Sequence, residues 1–158
     1  MQKRSFLNAA LALIGASALS TPLAAWATAK PQLEVWKTAS CGCCHDWVEH
    51  MQANGFNVKV NDVSDAAKNK LRAQLGLADK HGSCHTGLIN GYVIEGHVPA
   101  KEVQRLLKER PKALGLSVPG MTIGSPGMDG PEYKGRQDPY SVLLVQRNGS
   151  STVYQAYV

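Results

Sequence analysis

The sequence is poor in aromatic residues and has no block of basic ones. Only 6% of its 158 residues are Phe, Trp or Tyr, and its 17 Lys and Arg residues are scattered along the chain. The formal net charge of +5 includes Lys3 and Arg4, so a chain without its first residues carries only +3. Proteins that bind nucleic acids usually present a basic patch, so we expect no nucleic-acid partner.

The sequence also lacks a hydrophobic run that would span a bilayer comfortably. Its most apolar stretch, at about residues 9–23, is short and rich in Ala, Gly and Ser, whereas a spanning helix needs about 20 apolar residues. Lys3 and Arg4 precede this stretch, and the small residues Ala-Thr-Ala follow it at positions 27–29. A basic start, a short apolar core and an A-x-A site are typical of a secretory signal peptide.

We therefore expect a signal peptide at residues 1–29 and a single domain at residues 30–158. The location is expected to be periplasmic, with no stable membrane insertion after cleavage. Lys3-Arg4 also resembles a twin-arginine export signal in which Lys replaces the first Arg. The export route, general secretory or twin-arginine, stays open.

The cysteines are few and crowded. Of the four, Cys41, Cys43, Cys44 and Cys84, three lie within four residues of one another. Neighbouring cysteines rarely bond to each other, because disulfide geometry needs Cα atoms farther apart than adjacent residues allow. The spacing therefore favours the gathering of sulfur at one point over the cross-linking of distant segments.

Hydrophobic periodicity predicts the order β-α-β-α-β-β-α for most of the chain. Alternating residues indicate strands, helical spacing of apolar residues indicates helices, and Asn90-Gly91 is typical of a tight hairpin turn. The predicted elements are strands at 33–37 and 56–60, helices at 43–54 and 64–75, a hairpin at 87–94 and a helix at 99–108.

Residues 111–139 are rich in Gly and Pro, contain Met121 and Met128, and are predicted to form a long irregular loop. After this Gly/Pro/Met loop, residues 140–147 and 152–157 flank Asn148-Gly149 and predict a second hairpin added to the sheet. The fold class expected is α/β, with a mixed sheet.

This order of elements, with a cysteine-bearing turn between the first strand and the first helix, resembles the thioredoxin-like fold. In that fold, the loop before the third strand normally carries a proline and lies against the cysteine turn. Here the loop contains Cys84 and no proline. The resemblance implies that Cys84 lies opposite Cys41, Cys43 and Cys44 and completes a four-sulfur site.

Thiolates at a helix N-terminus suit both metal binding and disulfide exchange. A dithiol redox site needs only Cys41 and Cys44, whereas a metal cluster also gains from Cys43, because each thiolate can bridge two copper(I) ions. We predict copper(I), with several ions per chain. Thiol–disulfide exchange by Cys41 and Cys44, a zinc site with four terminal thiolates and purely structural cysteines are the alternatives.

Four further side chains are candidate metal ligands: His85, His97, Met121 and Met128. His85 adjoins Cys84, and His97 follows the first hairpin, where it could face the cluster or cap the next helix. The two methionines occur in repeated Pro-Gly-Met sequences, and their thioethers suit copper(I). The alternative for each methionine is that it fills a hydrophobic gap.

The remaining residues of interest are expected to have structural or solvent roles. His45 is expected to point to solvent, and His50 and His81 are expected to be ordinary surface residues. Met51 falls on the apolar stripe of the first helix and is expected in the core. Trp47 lies one turn after Cys43 and Cys44, so we expect it to pack behind the site and limit solvent access.

Five separated motifs, in this order, resemble those of the CopG family of periplasmic copper-resistance proteins. They are Cys-Gly-Cys-Cys-His-Asp-Trp at 41–47, Gly-Ser-Cys-His-Thr at 82–86, Tyr-Val-Ile-Glu-Gly-His-Val-Pro at 92–99, Val-Pro-Gly-Met at 118–121 and Gly-Ser-Pro-Gly-Met at 124–128. The resemblance covers essentially the whole chain after the signal peptide.

The resemblance implies a thioredoxin-like domain that binds several copper ions in a cysteine-bridged cluster. It implies ligand roles for the four cysteines, together with His97 and the loop methionines. It further implies a role in copper tolerance in Gram-negative bacteria, with interconversion of Cu(I) and Cu(II). The partners expected are copper ions and other periplasmic copper-handling proteins, and whether the chain is an enzyme stays open.

Overall fold

The computed structural model describes residues 29–158, so the predicted signal peptide, apart from Ala29, lies outside the described residues. These residues form three helices and seven strands, together with 3₁₀ turns at Asp79–His81 and Pro131–Tyr133. In chain order the elements are β1 (Gln32–Lys37), α1 (Gly42–Ala53), β2 (Asn57–Asp62), α2 (Asp65–Gln74), β3 (Thr86–Ile89), β4 (Tyr92–Glu95), α3 (Ala100–Glu109), β5 (Gly115–Ser117), β6 (Tyr140–Val145) and β7 (Ser151–Tyr157).

All seven strands form one mixed sheet in the order β2-β1-β3-β4-β5-β6-β7. β1 runs parallel to β2, β3 is antiparallel to both β1 and β4, and β4 is parallel to β5. The predicted β-α-β-α-β-β-α order and the thioredoxin-like α/β class are confirmed. β3 therefore lies beside β1, the strand that leads into the cysteine turn.

The first hairpin has the turn that its sequence predicts. Asn90 and Gly91 both have positive φ, 47° and 82°, as a type I′ turn requires. Because this turn matches the twist of the strands, β3 and β4 pair in a single register from Thr86 opposite Glu95 to Ile89 opposite Tyr92. The register determines which side chains of β4 reach the loop before β3.

The prediction that residues 111–139 form one irregular loop is wrong at its start. Residues Gly115–Ser117 form β5, which pairs with β4 on one side and with β6 on the other. The strand has only three residues and all are buried, so it shows no alternation from which it could be predicted. β5 is the link through which the predicted second hairpin, β6–β7, joins the sheet.

One main core lies between the sheet and two of the helices. It includes Trp47, Val48 and Met51 of α1 and Val103 and Leu106 of α3, packed on sheet residues such as Leu33, Val35, Ile94 and Leu116. The core position predicted for Met51 is confirmed, and Trp47, which is predicted to pack behind the site, is also fully buried.

The helix α2 differs from the other two helices, because it contributes no residue to this core. Its buried side chains are Lys68 and Arg72, one turn apart. Among residues 29–158, no helix is both long enough and apolar enough to cross a bilayer.

Candidate metal centre

Three cysteines lie at the start of α1. Cys41 occupies the N-cap position in an extended conformation, and Cys43 and Cys44 lie in the first turn, which contains no acidic residue. The unpaired backbone N–H groups of such a turn stabilise negative charge on nearby thiolates. Cys44 is fully buried, whereas Cys41 and Cys43 are partly exposed. The site is therefore open to small ions at one side and closed at its base.

Cys41 and Cys44 form a disulfide, and their Cα atoms are 5.3 Å apart. Cys43 is free, and its Sγ lies 3.7 Å from the Sγ of Cys41. The bonded pair is the one predicted for the alternative function in disulfide exchange. Ligation of a metal by four thiolates requires that this bond first be reduced.

The fourth cysteine comes from the loop before β3. Cys84 is free, and its Sγ lies within 4.8 Å of the sulfur atoms of Cys41, Cys43 and Cys44. The prediction that this loop lies against the cysteine turn is thus confirmed. A residue 40 positions away in sequence reaches the site because β3 pairs directly with β1.

Two basic side chains of α2 hold the loop that carries Cys84. Lys68 Nζ donates to the carbonyl of Cys84 at 2.8 Å, and Arg72 Nη2 donates to the carbonyl of Ser83 at 2.7 Å. Both side chains are more than nine-tenths buried. The polar buried face of α2 is therefore explained by its contacts with backbone carbonyls of this loop.

Glu95 holds the same loop from the opposite side. Its carboxylate is fully buried and accepts from the Ser83 N–H at 2.6 Å and the Thr86 hydroxyl at 2.7 Å. It also lies 2.7 Å from Arg72 Nη2. Burial raises the pKa of Glu95, while Thr86 and Arg72 act in the opposite direction.

These positioning residues were missed by the sequence analysis. A signal was present: an acidic residue, Glu95, ends an otherwise apolar strand, and two basic residues, Lys68 and Arg72, lie four apart on one helix face. Such a signal does not say what the charged groups contact. Only the packing of α2 on the loop before β3 supplies that information.

A backbone carbonyl orients the ring of His97. Its Nδ1 lies 2.9 Å from the carbonyl oxygen of Pro126, which can only accept, so Nδ1 carries the proton and donates. The lone pair is then on Nε2, which lies 3.0 Å from Cys84 Sγ. Histidines that bind metals commonly donate their second N–H in this way, which fixes the tautomer and the ring orientation.

His85 lies on the other side of the same sulfur. Its Nδ1 is 3.3 Å from Cys84 Sγ, and its ring packs on Trp47 with a centroid distance of 4.3 Å. The ring also meets His97 edge to face at 5.0 Å. His85 is fully buried, and its Nε2 has no hydrogen-bond partner. An unpaired buried nitrogen costs about 1–3 kcal/mol, so packing alone does not account for a histidine here.

Burial governs the protonation of these groups. It lowers the pKa of His85 well below the usual value, with the neighbouring His97 acting in the same direction. Burial also lowers the pKa of His97, while the Pro126 carbonyl and Asp129 act to raise it. Burial and the nearby Cys43 raise the pKa of the Cys84 thiol to about 12. Both imidazoles are therefore neutral, as ligation requires, and a metal ion would displace the proton of Cys84.

The segment 126–128 covers the start of α1. Gly127 has φ 82°, and a Cβ at this position would lie 2.6 Å from the carbonyl oxygen of Cys43 and 2.7 Å from the Trp47 nitrogen. Only glycine permits this approach. The contact places the Pro126 carbonyl against His97, so the Gly/Pro/Met loop takes part in the site through its backbone.

The two candidate methionines have different environments. Met128 is buried, and its Sδ accepts a hydrogen bond from the Tyr133 hydroxyl at 3.4 Å. Met121 is 57% exposed. It follows Gly120, whose carbonyl accepts from the Ser83 hydroxyl beside Cys84. Their roles as ligands stay predictions.

The prediction for His81 is wrong, and that for His50 is wrong in part. His81 is 2% exposed, because the 3₁₀ turn packs it inward and its carbonyl accepts from Ser117. His50 is only partly exposed, since its Nε2 accepts from the Ala100 N–H at the start of α3. His45 is solvent-exposed as predicted and pairs with Glu49 at 3.2 Å.

The donor set fits a soft or borderline metal. Within residues 29–158, two overlapping groups bring their ligand atoms within 4.8 Å of one another: the four cysteines, and Cys84 with His85 and His97. Thiolates and imidazoles select copper, zinc and related ions over hard cations. The preset tautomer of His97 and the approach of His85 Nδ1 to Cys84 Sγ agree with this chemistry. The four-cysteine group can bind such a metal with all four sulfur atoms once the Cys41–Cys44 bond is reduced.

Comparison with known proteins agrees with this geometry. A family described as "Protein of unknown function, DUF411" matches residues 81–128, the segment that includes Cys84, His85 and His97. No curated protein matches the chain. Two solved structures named copper resistance protein CopG, form 2 and form 1, are each 42% identical to this chain with a TM-score of 0.72.

The match to these structures is nearly complete in length. They cover 81% and 80% of this chain, and the chain covers 98% of each of them. At 42% identity over this length, the likeness is not confined to a common fold. By its sequence identity, its architecture and its cysteine cluster, the chain belongs to the CopG family of copper resistance proteins.

Proposed function

We propose that this chain is a periplasmic copper-binding protein that holds copper(I) in a cysteine-bridged cluster and contributes to copper resistance. The convergence of four cysteine sulfur atoms within 4.8 Å carries the proposal. The names of the two similar structures, which are copper resistance proteins, support copper as the metal.

The chemistry of the donors favours copper(I) over zinc. Reduction of the Cys41–Cys44 bond supplies four thiols around one point, and thiolates are the ligands that copper(I) prefers. Zinc needs four terminal ligands in a closed tetrahedron. Cys43 and Cys44 are adjacent on one helical turn, so their side chains diverge and suit bridging between several ions better than a single tetrahedral site.

The proposed location is the periplasm, where the partners are copper ions and other periplasmic copper-handling proteins. The leader pattern at residues 1–29 supports export. If the full chain is expressed in a Gram-negative host, N-terminal sequencing of the periplasmic fraction is expected to begin at Lys30. Recovery of the uncleaved chain in the membrane fraction would contradict this part of the proposal.

Copper loading tests the cluster directly. The chain from Lys30 to Val158 is purified without oxygen, fully reduced and loaded with excess copper(I), and copper and zinc per chain are measured after unbound metal is removed. We expect several copper ions per chain and their loss when the thiols are blocked. Cys43→Ser is expected to retain fewer ions, because a bridging ligand is lost.

The exposed His45 offers a matched control for this variant. It lies two residues from Cys43 on the same helix, and its contact in the structure is with Glu49. His45→Asn is expected to retain as much copper as the parent chain. Equal retention by Cys43→Ser and the parent, or one zinc and no copper in the reduced protein, would contradict the cluster.

The Cys41–Cys44 disulfide supports a second candidate function in redox chemistry. One form is thiol–disulfide exchange with a protein substrate. The other is reduction of copper: two Cu(II) ions each accept one electron from the two thiols, which gives two Cu(I) ions, the disulfide and two protons. The reduced, metal-free protein is tested for reduction of insulin and, separately, of Cu(II).

The two assays separate the two forms of this candidate. Turnover with insulin in the presence of a dithiol donor supports disulfide exchange. No turnover with insulin, together with two Cu(I) ions formed per Cys41–Cys44 bond, supports copper reduction. Cys41→Ser is expected to remove either activity, and a variant that keeps both would contradict a redox role for this pair.

A further inference from the structure

The disulfide divides the sulfur atoms of the site into two pairs. Cys41 and Cys44 are bonded, and Cys43 and Cys84 remain free. Cys84 belongs to both groups of ligand atoms, the four-cysteine group and the group with His85 and His97. Removal of two sulfurs by the disulfide therefore leaves the second group complete.

The contacts that hold this second group do not involve the bonded cysteines. His97 is oriented by the Pro126 carbonyl, and the backbone of Cys84 is held by Lys68. His85 packs on Trp47. All three contacts are present in a structure in which Cys41 and Cys44 are bonded, so the arrangement does not depend on a reduced cluster.

The free thiol of Cys43 lies beside this group. Its sulfur is within 4.8 Å of Cys84 Sγ, and it lies in the first turn of α1. Two sulfur and two nitrogen donors form a set that suits zinc and copper(I). Three donors are thus already grouped, and the free sulfur of Cys43 lies within 4.8 Å of the one cysteine, Cys84, that belongs to both groups.

We propose that the disulfide form of the protein keeps a second, smaller metal site, made by Cys84, His85 and His97 with Cys43 as the fourth donor. The site takes one soft or borderline ion, such as Zn²⁺ or Cu(I). This inference rests on the proposed function, in which the reduced chain holds several copper(I) ions.

The consequence is that the Cys41–Cys44 bond sets the metal capacity of the chain. Formation of the bond removes two electrons and two protons from the two thiols, and oxidised glutathione can accept them and become two molecules of glutathione. The cluster then loses two of its four sulfur ligands, and the capacity falls from several ions to one. A dithiol donor must reduce the bond before the full cluster forms again.

Zinc is the probe for the test, because it takes no part in redox chemistry. The metal-free chain is treated with oxidised glutathione, and peptide mapping and thiol counting identify the fraction with a Cys41–Cys44 bond and two free thiols. We expect one zinc ion per chain in that fraction. Cobalt(II) in place of zinc is expected to give an absorption band from thiolate-to-metal charge transfer.

Two variants show which residues hold the ion. In the disulfide form, His97→Phe and Cys84→Ser are each expected to reduce zinc affinity at least tenfold. Circular dichroism before titration checks that each variant is folded, and Cys84→Ser changes a single atom. The double variant Cys41→Ser/Cys44→Ser, which cannot form the bond, is expected to hold one zinc ion without any oxidation.

The outcomes separate this inference from the proposed function. If the disulfide form holds no metal while the reduced chain holds several copper ions, the second site is wrong and the cluster stands. One zinc ion that survives both His97→Phe and Cys84→Ser also overturns the second site. If the reduced chain holds no copper, the proposed function fails, whatever the disulfide form binds.

Discussion

At the scale of single residues, Gly127 connects the Gly/Pro/Met loop to the metal centre. Its positive φ and the short distances from its Cβ position to Cys43 and Trp47 mean that a side chain would push the loop off α1. The Pro126 carbonyl would move with it, and His97 would lose the acceptor that fixes its tautomer. Gly127, which has no side chain, thus determines the tautomer of His97.

Gly127→Ala is expected to destabilise the protein more than Gly149→Ala. Both glycines have φ 82°, but nothing lies within 4 Å of a Cβ at Gly149. The backbone conformation alone costs about 1–2 kcal/mol at either position, and displacement of packed atoms adds about 1–3 kcal/mol at Gly127. Urea unfolding of the two metal-free variants measures the difference in the free energy of unfolding.

Metal binding gives a second measurement on the same pair of variants. Gly127→Ala is expected to weaken zinc or copper(I) binding about tenfold through His97, whereas Gly149→Ala leaves it unchanged. Equal losses of stability and of affinity in the two variants would show that the close approach at Gly127 is unimportant.

At the scale of elements, α2 holds the loop that carries Cys84 in position through hydrogen bonds. The helix begins with a conventional cap, in which the Ser64 hydroxyl accepts from the Ala67 N–H at 3.2 Å. Its packing is unusual, because its two buried side chains, Lys68 and Arg72, are basic and donate hydrogen bonds to backbone carbonyls of that loop. The stability of α2 and the position of Cys84 therefore depend on the same hydrogen bonds.

Arg72→Met is expected to cost roughly 3–5 kcal/mol of folding stability, because it leaves the Glu95 carboxylate buried without its cation. Copper retention is expected to fall as the loop at 82–86 loosens. Chemical denaturation and copper loading of the same preparation measure both effects. Lys70→Met, at an exposed position on the same helix, is the control and is expected to change neither.

A second substitution tests the cause assigned to this loss. Arg72→Met combined with Glu95→Gln removes both charges and is expected to recover part of the stability lost in the single variant. If the double variant is as unstable as the sum of the two single ones, the ion pair is not the source of the effect.

At the scale of the whole molecule, the donors come from three parts of the chain that meet at one end of β1 and β3. They are the start of α1, the loop before β3 and the segment after β4, which carries His97. A bound metal joins these three parts, whereas the hairpin β6–β7 lies at the far edge of the sheet. Metal binding is thus expected to stabilise one side of the molecule selectively.

Metal loading is expected to raise the Tm of the reduced protein. Free metal at about one hundred times Kd adds about 2.7 kcal/mol, which corresponds to a rise of roughly 5–15 °C for a domain of this size. Scanning calorimetry before and after treatment with a thiol-competing chelator measures the change. A Tm unaffected by the chelator would contradict binding at a site that links these segments.

Hydrogen exchange shows where that stabilisation acts. The amides of residues 82–86, 127 and 128 are expected to exchange more slowly when metal is bound, whereas those of β7 are expected to stay the same. Slower exchange spread evenly over the sheet would indicate a global stabilisation and would contradict selective stabilisation of the segments that carry the donors.

Local patterns were sufficient for the elements whose neighbours in sequence determine them. The Asn90-Gly91 turn and the apolar stripe of α1 each depend on residues within one or two turns, and each is found as predicted. β5 was missed and His81 was misplaced, because their burial depends on segments far away in the chain. Local propensity carries no information about such contacts.

The sequence by itself determined the cysteine spacing, the order of elements and the resemblance to the CopG family. The thioredoxin-like resemblance already implied that Cys84 meets the cysteine turn. Tertiary structure alone decided how His97 is oriented beside it, and that buried Lys68, Arg72 and Glu95 hold its loop. The physical reason is that a spacing of a few residues determines local geometry, whereas ligand orientation depends on hydrogen bonds between segments brought together only when the sheet forms.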